Sequence, residues 1–330
     1  MERLSLSNGA FEGNNNAYLF HDTGETVLID TGDWMATTQA QLHEHLREYG
    51  VTFEDIDRIF LTHWHGDHVG LAGEIQAESG AEVHVHTADA LLVEGDEDAW
   101  EDLHALQKSY FDDWGMPTEK QETLRDRMAG PDMSSEYPTV TSFEDGDTFS
   151  FDGFELGVVH VSGHAAGLCM FEFQTENGRE VFSGDALLPI YTPNVGGADV
   201  RVDNPLEKYL RGLRRIVNSN YVRAWPGHRE PIDEPADRAA YIIHHHEERA
   251  WRVLDTLRRQ GACDTWTVSA ELFGELNGIH ILHGPGESYA HLEHLEQEGT
   301  VVRDGTEYRL ADGIAEKLVE LEDDRWPLPY

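Results

Sequence analysis

The sequence predicts an α/β chain that carries a helical insertion and ends in a small helix-and-hairpin unit. Three observations predict it. Short apolar strands alternate with amphipathic helices over residues 17–86. The alternation breaks at residues 88–138, where leucines and aromatics recur at helical spacing among many acids, and strands then resume. Beyond residue 262, two short helical patterns precede a hairpin signal. At 330 residues with 39% hydrophobic side chains the chain can bury a sizeable core.

The elements follow in order. Residues 17–20 and 26–30 flank a turn at Asp22-Thr23-Gly24 and read as a hairpin. Residues 37–49 read as a helix with Leu42, His45, Leu46 and Tyr49 on one face and Gly50 as its stop. A strand at 56–62 runs into a polar, His-rich loop, followed by a helix at 69–79 and a strand at 81–86. The insertion contributes helices around Leu103 to Trp114 and Lys120 to Met128, and its Tyr110, Phe111, Trp114 and Met116 are candidates to line an apolar pocket. Strands are expected over 143–161, with turns at Asp145-Gly146 and Asp152-Gly153, and at 168–173 and 180–183. A helix at 206–219, a strand at 221–225 and a long helix from Pro235 to Gln260 come next. Helices at 268–276 and 288–298 precede a hairpin over 299–310 that turns at Asp304-Gly305. The expected units are therefore 1–235, with 88–138 inserted, a connecting helix at 236–262, and a C-terminal unit at 263–330.

Composition excludes several classes. No apolar run approaches the ~18–20 residues of a membrane span, and the N-terminus has no apolar signal-peptide core. Cys169 and Cys263 stand alone, which excludes a disulfide scaffold and suits a reducing cytoplasm. The net charge is −39, from 63 acids against 24 Lys and Arg, and only four of the cations are lysines. Aromatics at 10% argue against a disordered acidic chain. This acid-rich, lysine-poor surface resembles that of proteins from extreme halophiles.

The chemistry concentrates at Thr62-His63-Trp64-His65-Gly66-Asp67-His68, just after an apolar strand. In an extended loop, His63 and His65 can aim their imidazoles to one side while Asp67 and His68 turn the other way. Imidazole and carboxylate suit Zn²⁺, with iron or manganese as alternatives. This HxHxDH stretch resembles the signature of the metallo-β-lactamase superfamily, and further motifs occur in that family's order. Asp30 in Leu28-Ile29-Asp30-Thr31-Gly32 resembles its loop-bracing acid. His164 in Ser162-Gly163-His164, Asp185 in Ser183-Gly184-Asp185 and His228 in Pro226-Gly227-His228 resemble its later ligands. The resemblance covers about residues 4–235. It implies an αββα sandwich and two Zn²⁺ ions. One would take His63, His65 and His164; the other Asp67, His68 and His228. Asp185 would bridge them beside a hydroxide, so Asp67 and Asp185 are the carboxylates closest to the chemistry. His160, on the same strand as His164, reads as a strand-face residue.

The C-terminal unit resembles the small winged-helix-like domains appended to some relatives, including endoribonucleases of the fold. Its expected recognition helix, 288–298, has three glutamates and no Lys or Arg, which weighs against nucleic acid. Packing on the hydrolase unit or on a second copy, as a homodimer, fits its apolar positions better. His244, His245 and His246 point about 100° apart on a helix and cannot converge on one ion. The expected function is binuclear hydrolysis of a small ester, thioester or lactone, in the broad group around hydroxyacylglutathione hydrolase (glyoxalase II). No basic cluster is evident for an anionic tripeptide. A phosphodiesterase or endoribonuclease, and a mononuclear iron dioxygenase, are the alternatives.

The charge makes a prediction of its own. At 0.1 M salt the screening length is ~10 Å, so surface carboxylates repel one another across the fold. Melting curves taken from about 0.1 M to about 3 M KCl should rise steeply; a flat profile would remove the halophile reading.

Overall fold

The structure, a computed structural model, describes residues 1–8, 13–21, 24–128, 136–151, 153–321 and 323–330. Asp22, Thr23 and Asp152 of the expected turns, and residues 129–135 of the insertion, lie outside the described residues.

Two sheets face each other. The first runs in the order β1 (Glu2–Leu6), β2 (Asn15–Phe20), β3 (Val27–Ile29), β4 (Arg58–Phe60), β5 (Glu82–His86) and β6 (Val140–Phe143). It is antiparallel as far as β3 and parallel beyond. The second contains β7 (Thr148–Phe151), β8 (Phe154–His160), β9 (Cys169–Thr175), β10 (Gly178–Gly184) and β11 (Arg223–Pro226), with β11 paired parallel to β10. Strand alternation fills the space between them. Tyr18, Phe20, Phe60, Phe143, Phe151, Phe171 and Phe182 form one aromatic cluster from both sheets. Their neighbours Ala17, Leu19, Leu28, Ile59 and Met170 face outward into a second cluster, under the helices. Both faces are covered, so β2 and β3 are buried at every position.

Helices α1 (Ala36–Glu48), α2 (Gly66–Val69) and α3 (Ala72–Ser79) belong to the first half. The insertion is helical as expected: α4 (Ala90–Val93), α5 (Glu97–Asp113) and α6 (Thr118–Met128). Helix α7 (Pro205–Asn218) packs on α8 (Pro235–Gln260), which starts on Pro235 and stops at Gly261 as the sequence indicates. The C-terminal unit holds β12 (Cys263–Asp264), α9 (Thr265–Phe273), α10 (His280–Gln297), β13 (Val301–Asp304), β14 (Glu307–Leu310) and α11 (Ile314–Glu320). Its small sheet runs β12-β14-β13, and Gly305, at φ 63°, makes the expected turn.

Four differences from the sequence reading have identifiable causes. Strand β1 escapes notice because it offers only Leu4 and Leu6 as a period-two signal. Helix α11 is likewise short. Helix α9 begins three residues early because Asp264 caps it, accepting from Thr267 N at 2.8 Å. Helix α10 begins at His280, running through Gly284-Pro285-Gly286, which reads as a break. Tertiary contact overrides that signal: a side chain at Gly286 would put its Cβ 2.1 Å from the Gly197 backbone.

The C-terminal unit shares its core with the rest of the chain: Val268, Leu282, Leu292 and Leu295 join the cluster that contains α1, α7 and α8 residues. It also docks on the insertion. Trp266 N donates to Trp114 O at 2.8 Å, Lys120 Nζ to Leu276 O at 2.9 Å, and Arg303 pairs with Asp113 at 2.8 Å. Gly286→Ala tests this seam. In a free helix the change would stabilise by about 0.5–1 kcal/mol; here overpacking against Gly197 should instead cost about 1–3 kcal/mol. Thermal denaturation should show a midpoint several degrees lower, and a raised midpoint would mean that α10 is not clamped.

Candidate metal centre

Strand β4 ends at Phe60, and the chain then enters the site under the control of one carboxylate. Asp30, at the end of β3, adopts φ 57°, a left-handed conformation that Asp tolerates better than most residues. Its Oδ1 accepts from Thr62 N at 2.8 Å; its Oδ2 accepts from Thr62 Oγ1 and His68 Nδ1, both at 2.9 Å. Thr62 is thereby fixed, and a short bent stretch, His63-Trp64, leads to His65, the extended N-cap of α2, which carries Asp67 and His68. The two pairs of side chains do not diverge as the extended-loop reading expects: the His63 and His68 rings lie 4.2 Å apart, closer than those of His63 and His65 at 4.5 Å, because the helical turn of α2 brings His68 back over the loop.

All seven residues singled out in the sequence come together. His63 Nε2 lies 2.9 Å from His65 Nδ1, which lies 3.1 Å from His164 Nε2. Asp67 Oδ2 is 3.9 Å from His68 Nε2 and 3.5 Å from His228 Nε2. Asp185 spans the two groups: Oδ2 is 3.7 Å from His164 Nε2 and 3.4 Å from His228 Nε2, while Oδ1 is 3.6 Å from His68 Nε2. Three imidazoles have their other nitrogen engaged. His63 Nδ1 meets Thr62 Oγ1 at 3.0 Å, His68 Nδ1 meets Asp30, and His164 Nδ1 donates to Asn194 O at 2.7 Å. Each therefore turns an Nε2 lone pair inward, the arrangement that orients a metal ligand. His160 stays out of the centre, stacked on His86 at 4.1 Å.

The donors are buried, and their proton affinities reflect it. Burial and the neighbouring His68 hold His63 well below the usual histidine range, and burial pushes His65 down to about 3. Burial opposes charge on His68 too, but Asp67, Asp185 and Asp30 outweigh it and raise this imidazole to about 10. Asp185 would be raised by burial, yet His228 and His68 keep it well below the carboxylate range. A concentrated negative charge thus faces several neutral nitrogens. Some donors have no partner among the described residues: His65 Nε2, His68 Nε2, Asp185 Oδ1 and His228 Nδ1 are all buried without a hydrogen bond. Of these, His68 Nε2 and Asp185 Oδ1 face the centre, and divalent cations are the species that buried lone pairs of this kind fit.

Several supporting residues were invisible in the sequence. Asn8 and Asn15 donate to Asp67 Oδ2 at 3.1 and 3.2 Å. Asp89 accepts from Trp64 N and Gly167 N, Asp199 accepts from Trp64 Nε1 and Ala166 N, and Arg201 binds both acids. These bonds lock the His63–His65 loop to the His164 loop. Burial lifts Asp89 to about 6 against the pull of Arg201. Glu287 on α10 accepts from Val195 N at 3.0 Å and Asn194 Nδ2 at 3.2 Å, and so holds the carbonyl that orients His164. The only local signal for any of them is the Asn14-Asn15-Asn16 run.

Of the three adjacent histidines, His246 reaches His291 Nε2 at 3.2 Å, and His291 Nδ1 donates to Glu287 O at 2.8 Å. Their separation on α8 is as expected, but His246 converges with Glu287 and His291 across helices. Arg249 already occupies the Glu287 carboxylate, so the group is a buried ion pair beside two imidazoles held neutral by burial, with His246 Nε2 and Arg249 Nε left without a hydrogen-bond partner among the described residues.

A cavity of about 860 Å³ opens over the centre. Its insertion wall is Trp100, Leu103, His104 and Gln107, and not Tyr110, Phe111, Trp114 and Met116. Those four sit a turn or more further on, where Trp114 is fully buried and Tyr110 packs on Tyr289 at 5.3 Å. Leu276, Ile279, His283 and Glu287 of the C-terminal unit form the opposite wall.

The Metallo-beta-lactamase superfamily model matches residues 10–228. A beta-lactamase-like protein 2 homolog of Drosophila melanogaster is 26% identical over 246 residues, 72% of this chain; the chain spans 66% of that relative, just under two thirds of its length. A probable metallo-hydrolase of Bacillus subtilis, YqjP, is 26% identical over 83% of this chain and 86% of its own. The crystal structure of a metallo-beta-lactamase family protein from Thermus thermophilus aligns over 94% of this chain and 98% of its own, at 30% identity and a TM-score of 0.79. The fold, the donor set and these likenesses agree, and the chain belongs to the metallo-beta-lactamase superfamily.

Proposed function

We propose that the chain is a binuclear metal-dependent hydrolase of small esters, thioesters or lactones. The observation that carries this reading is Asp185, whose carboxylate lies between the two three-donor groups, Oδ2 within 3.7 Å of His164 Nε2 and 3.4 Å of His228 Nε2 and Oδ1 within 3.6 Å of His68 Nε2. His63, His65 and His164 would hold one cation, and Asp67, His68 and His228 the other, zinc being the best match to imidazole and carboxylate donors. When bound, such cations polarise a carbonyl and activate water at neutral pH. The chain's own part is to fix the donors through Asp30, Thr62 and Asn194, to hold Asp67 through Asn8 and Asn15, and to exclude bulk water from an apolar cavity. The C-terminal unit, read as winged-helix-like, serves in this proposal as a wall of that cavity. Helix α10 carries no Lys or Arg, which speaks against a nucleic-acid substrate. A mononuclear iron enzyme would leave the Asp67–His68–His228 group without a purpose.

Elemental analysis of protein prepared without chelator should find about two zinc ions per chain. A panel of esters, thioesters and lactones should be cleaved faster than bis(p-nitrophenyl) phosphate. One iron per chain, or cleavage of the phosphodiester alone, would replace the proposal. Asp67→Ala should abolish hydrolysis and lower the metal content while circular dichroism stays native; an active, fully loaded variant would remove Asp67 from the ligand set.

Asp30→Asn isolates the brace, because Asn accepts the same positive φ. Cation affinity, read by competition with a chelator, should fall about 10–100-fold. An unchanged affinity would mean that His68 needs no partner.

A further inference from the structure

Arg229 follows the last candidate ligand, His228, and lines the cavity. Three features taken together bear on its role. Its backbone sits at φ 65°, a left-handed conformation that glycine adopts freely and arginine does not. Its carbonyl is gripped there by Arg3 Nη1 and Asn16 Nδ2, both at 2.7 Å. Its guanidinium, in a chain with 63 acids, pairs with no carboxylate among the described residues. The neighbouring Glu230 pairs instead with Arg3 at 2.8 Å. Arg229 Nε is buried without a hydrogen-bond partner.

The guanidinium is nevertheless held in place. It stacks on the Tyr191 ring, 4.7 Å from the centroid, and a Cβ at Gly13 would come within 3.3 Å of it. The other arginine of the cavity, Arg249, is neutralised by Glu287. Among the described residues Arg229 is therefore a fixed cation without a carboxylate partner beside the candidate ligands, in a cavity whose lining mixes apolar side chains (Trp34, Trp64, Leu188, Ile279) with polar ones such as His104, Gln107 and Glu275. A planar guanidinium with free N–H groups recognises oxyanions. Backbone strain that the surrounding bonds enforce is typical of a residue retained for a ligand.

We propose that Arg229 anchors an oxyanion of the substrate, a carboxylate or a phosphate-type group, so that the site selects acyl compounds bearing such a group a few bonds from the one cleaved. This rests on the hydrolase reading above, and it names the substrate class. Arg229 would act as a specificity residue: it adds binding for the anionic substrate and leaves hydrolysis of a neutral one intact.

The test uses metal-loaded full-length protein at one KCl concentration. The substrates are thioesters of the same thiol: butyryl, succinyl (a carboxylate in place of the methyl) and the corresponding phosphonate. Wild type should favour one of the anionic pair, and which one identifies the oxyanion. Arg229→Gln should raise KM for that substrate at least about 10-fold and leave kcat/KM for butyryl within about 2-fold. Arg229→Lys should restore part of the loss. Arg229→Gly, which accepts φ 65° without strain, should behave as Gln does. Equal losses on all three thioesters, or no preference in the wild type, would overturn the proposal. If the wild type cleaves none of them, the hydrolase reading fails on its own. Calorimetry with succinate, propylphosphonate and the neutral butyramide then decides the anchor: loss of binding of an anion, with butyramide unaffected, in Arg229→Gln supports it, and equal binding of the anions to both proteins overturns it.

Discussion

The centre depends on one buried carboxylate with three bonds. Asp30 stands at the end of β3 and closes on Thr62 and His68, across the neighbouring strand. Each bond has a separate consequence. The Thr62 amide fixes where the chain leaves β4. The Thr62 hydroxyl, having donated to Asp30, is left to accept from His63 Nδ1. The His68 bond fixes the orientation of a candidate ligand on α2. One side chain thus orients residues of both three-donor groups, and its positive φ is the conformational cost of reaching all three.

The signature loop could be read from the sequence because its information is local. His63, His65, Asp67 and His68 lie within one turn of chain, and each later motif follows a strand end. Strand alternation was equally local, which is why the two-sheet layering agrees with the order of apolar runs. The supporting residues are another matter. Asn8, Asp89, Asp199, Arg201 and Glu287 act across 25 to 135 residues of sequence, through single hydrogen bonds that leave no periodic trace. Tyr110 and Trp114 failed as wall residues for a similar reason: aromatic residues at helical spacing mark a buried face, and only the tertiary arrangement decides what covers it. Here Tyr289 of α10 does so.

The C-terminal unit is the larger surprise. It reads as an appendage because every ligand precedes it. Glu287 changes that view. Its carboxylate holds the Asn194 segment whose carbonyl takes the His164 proton, and Arg249 of α8 neutralises it from behind. Gly286 and Gly197 let α10 approach closely enough for these bonds. The Gly-Pro-Gly stretch that looked like a helix break is thus the part of α10 where the lack of side chains is needed. The unit contributes a wall of the cavity and one support of the candidate metal centre, and its Val268, Leu272, Leu276, Leu292 and Leu295 are buried within the chain, while Phe273, Val302 and Val319 stay exposed.

Charge distribution connects the surface to the site. A chain with −39 formal charges has carboxylates to spare, and most of its described arginines have found one. Other described arginines without an ion pair lie elsewhere: Arg238 and Arg252 donate to backbone carbonyls, and Arg214 stacks on Tyr330. At Arg229 the geometry is explicit: the left-handed backbone turns the side chain onto Tyr191, and Glu230, the nearest acid in sequence, is drawn off by Arg3. The negative field of the whole molecule would otherwise repel anions from the cavity. A local cation at the rim of the metal centre offsets that field where it matters. Molar salt screens the long-range repulsion over a few ångströms but leaves a direct guanidinium contact in place. High salt and the Arg229 guanidinium would therefore act in the same direction on the anionic substrate proposed above.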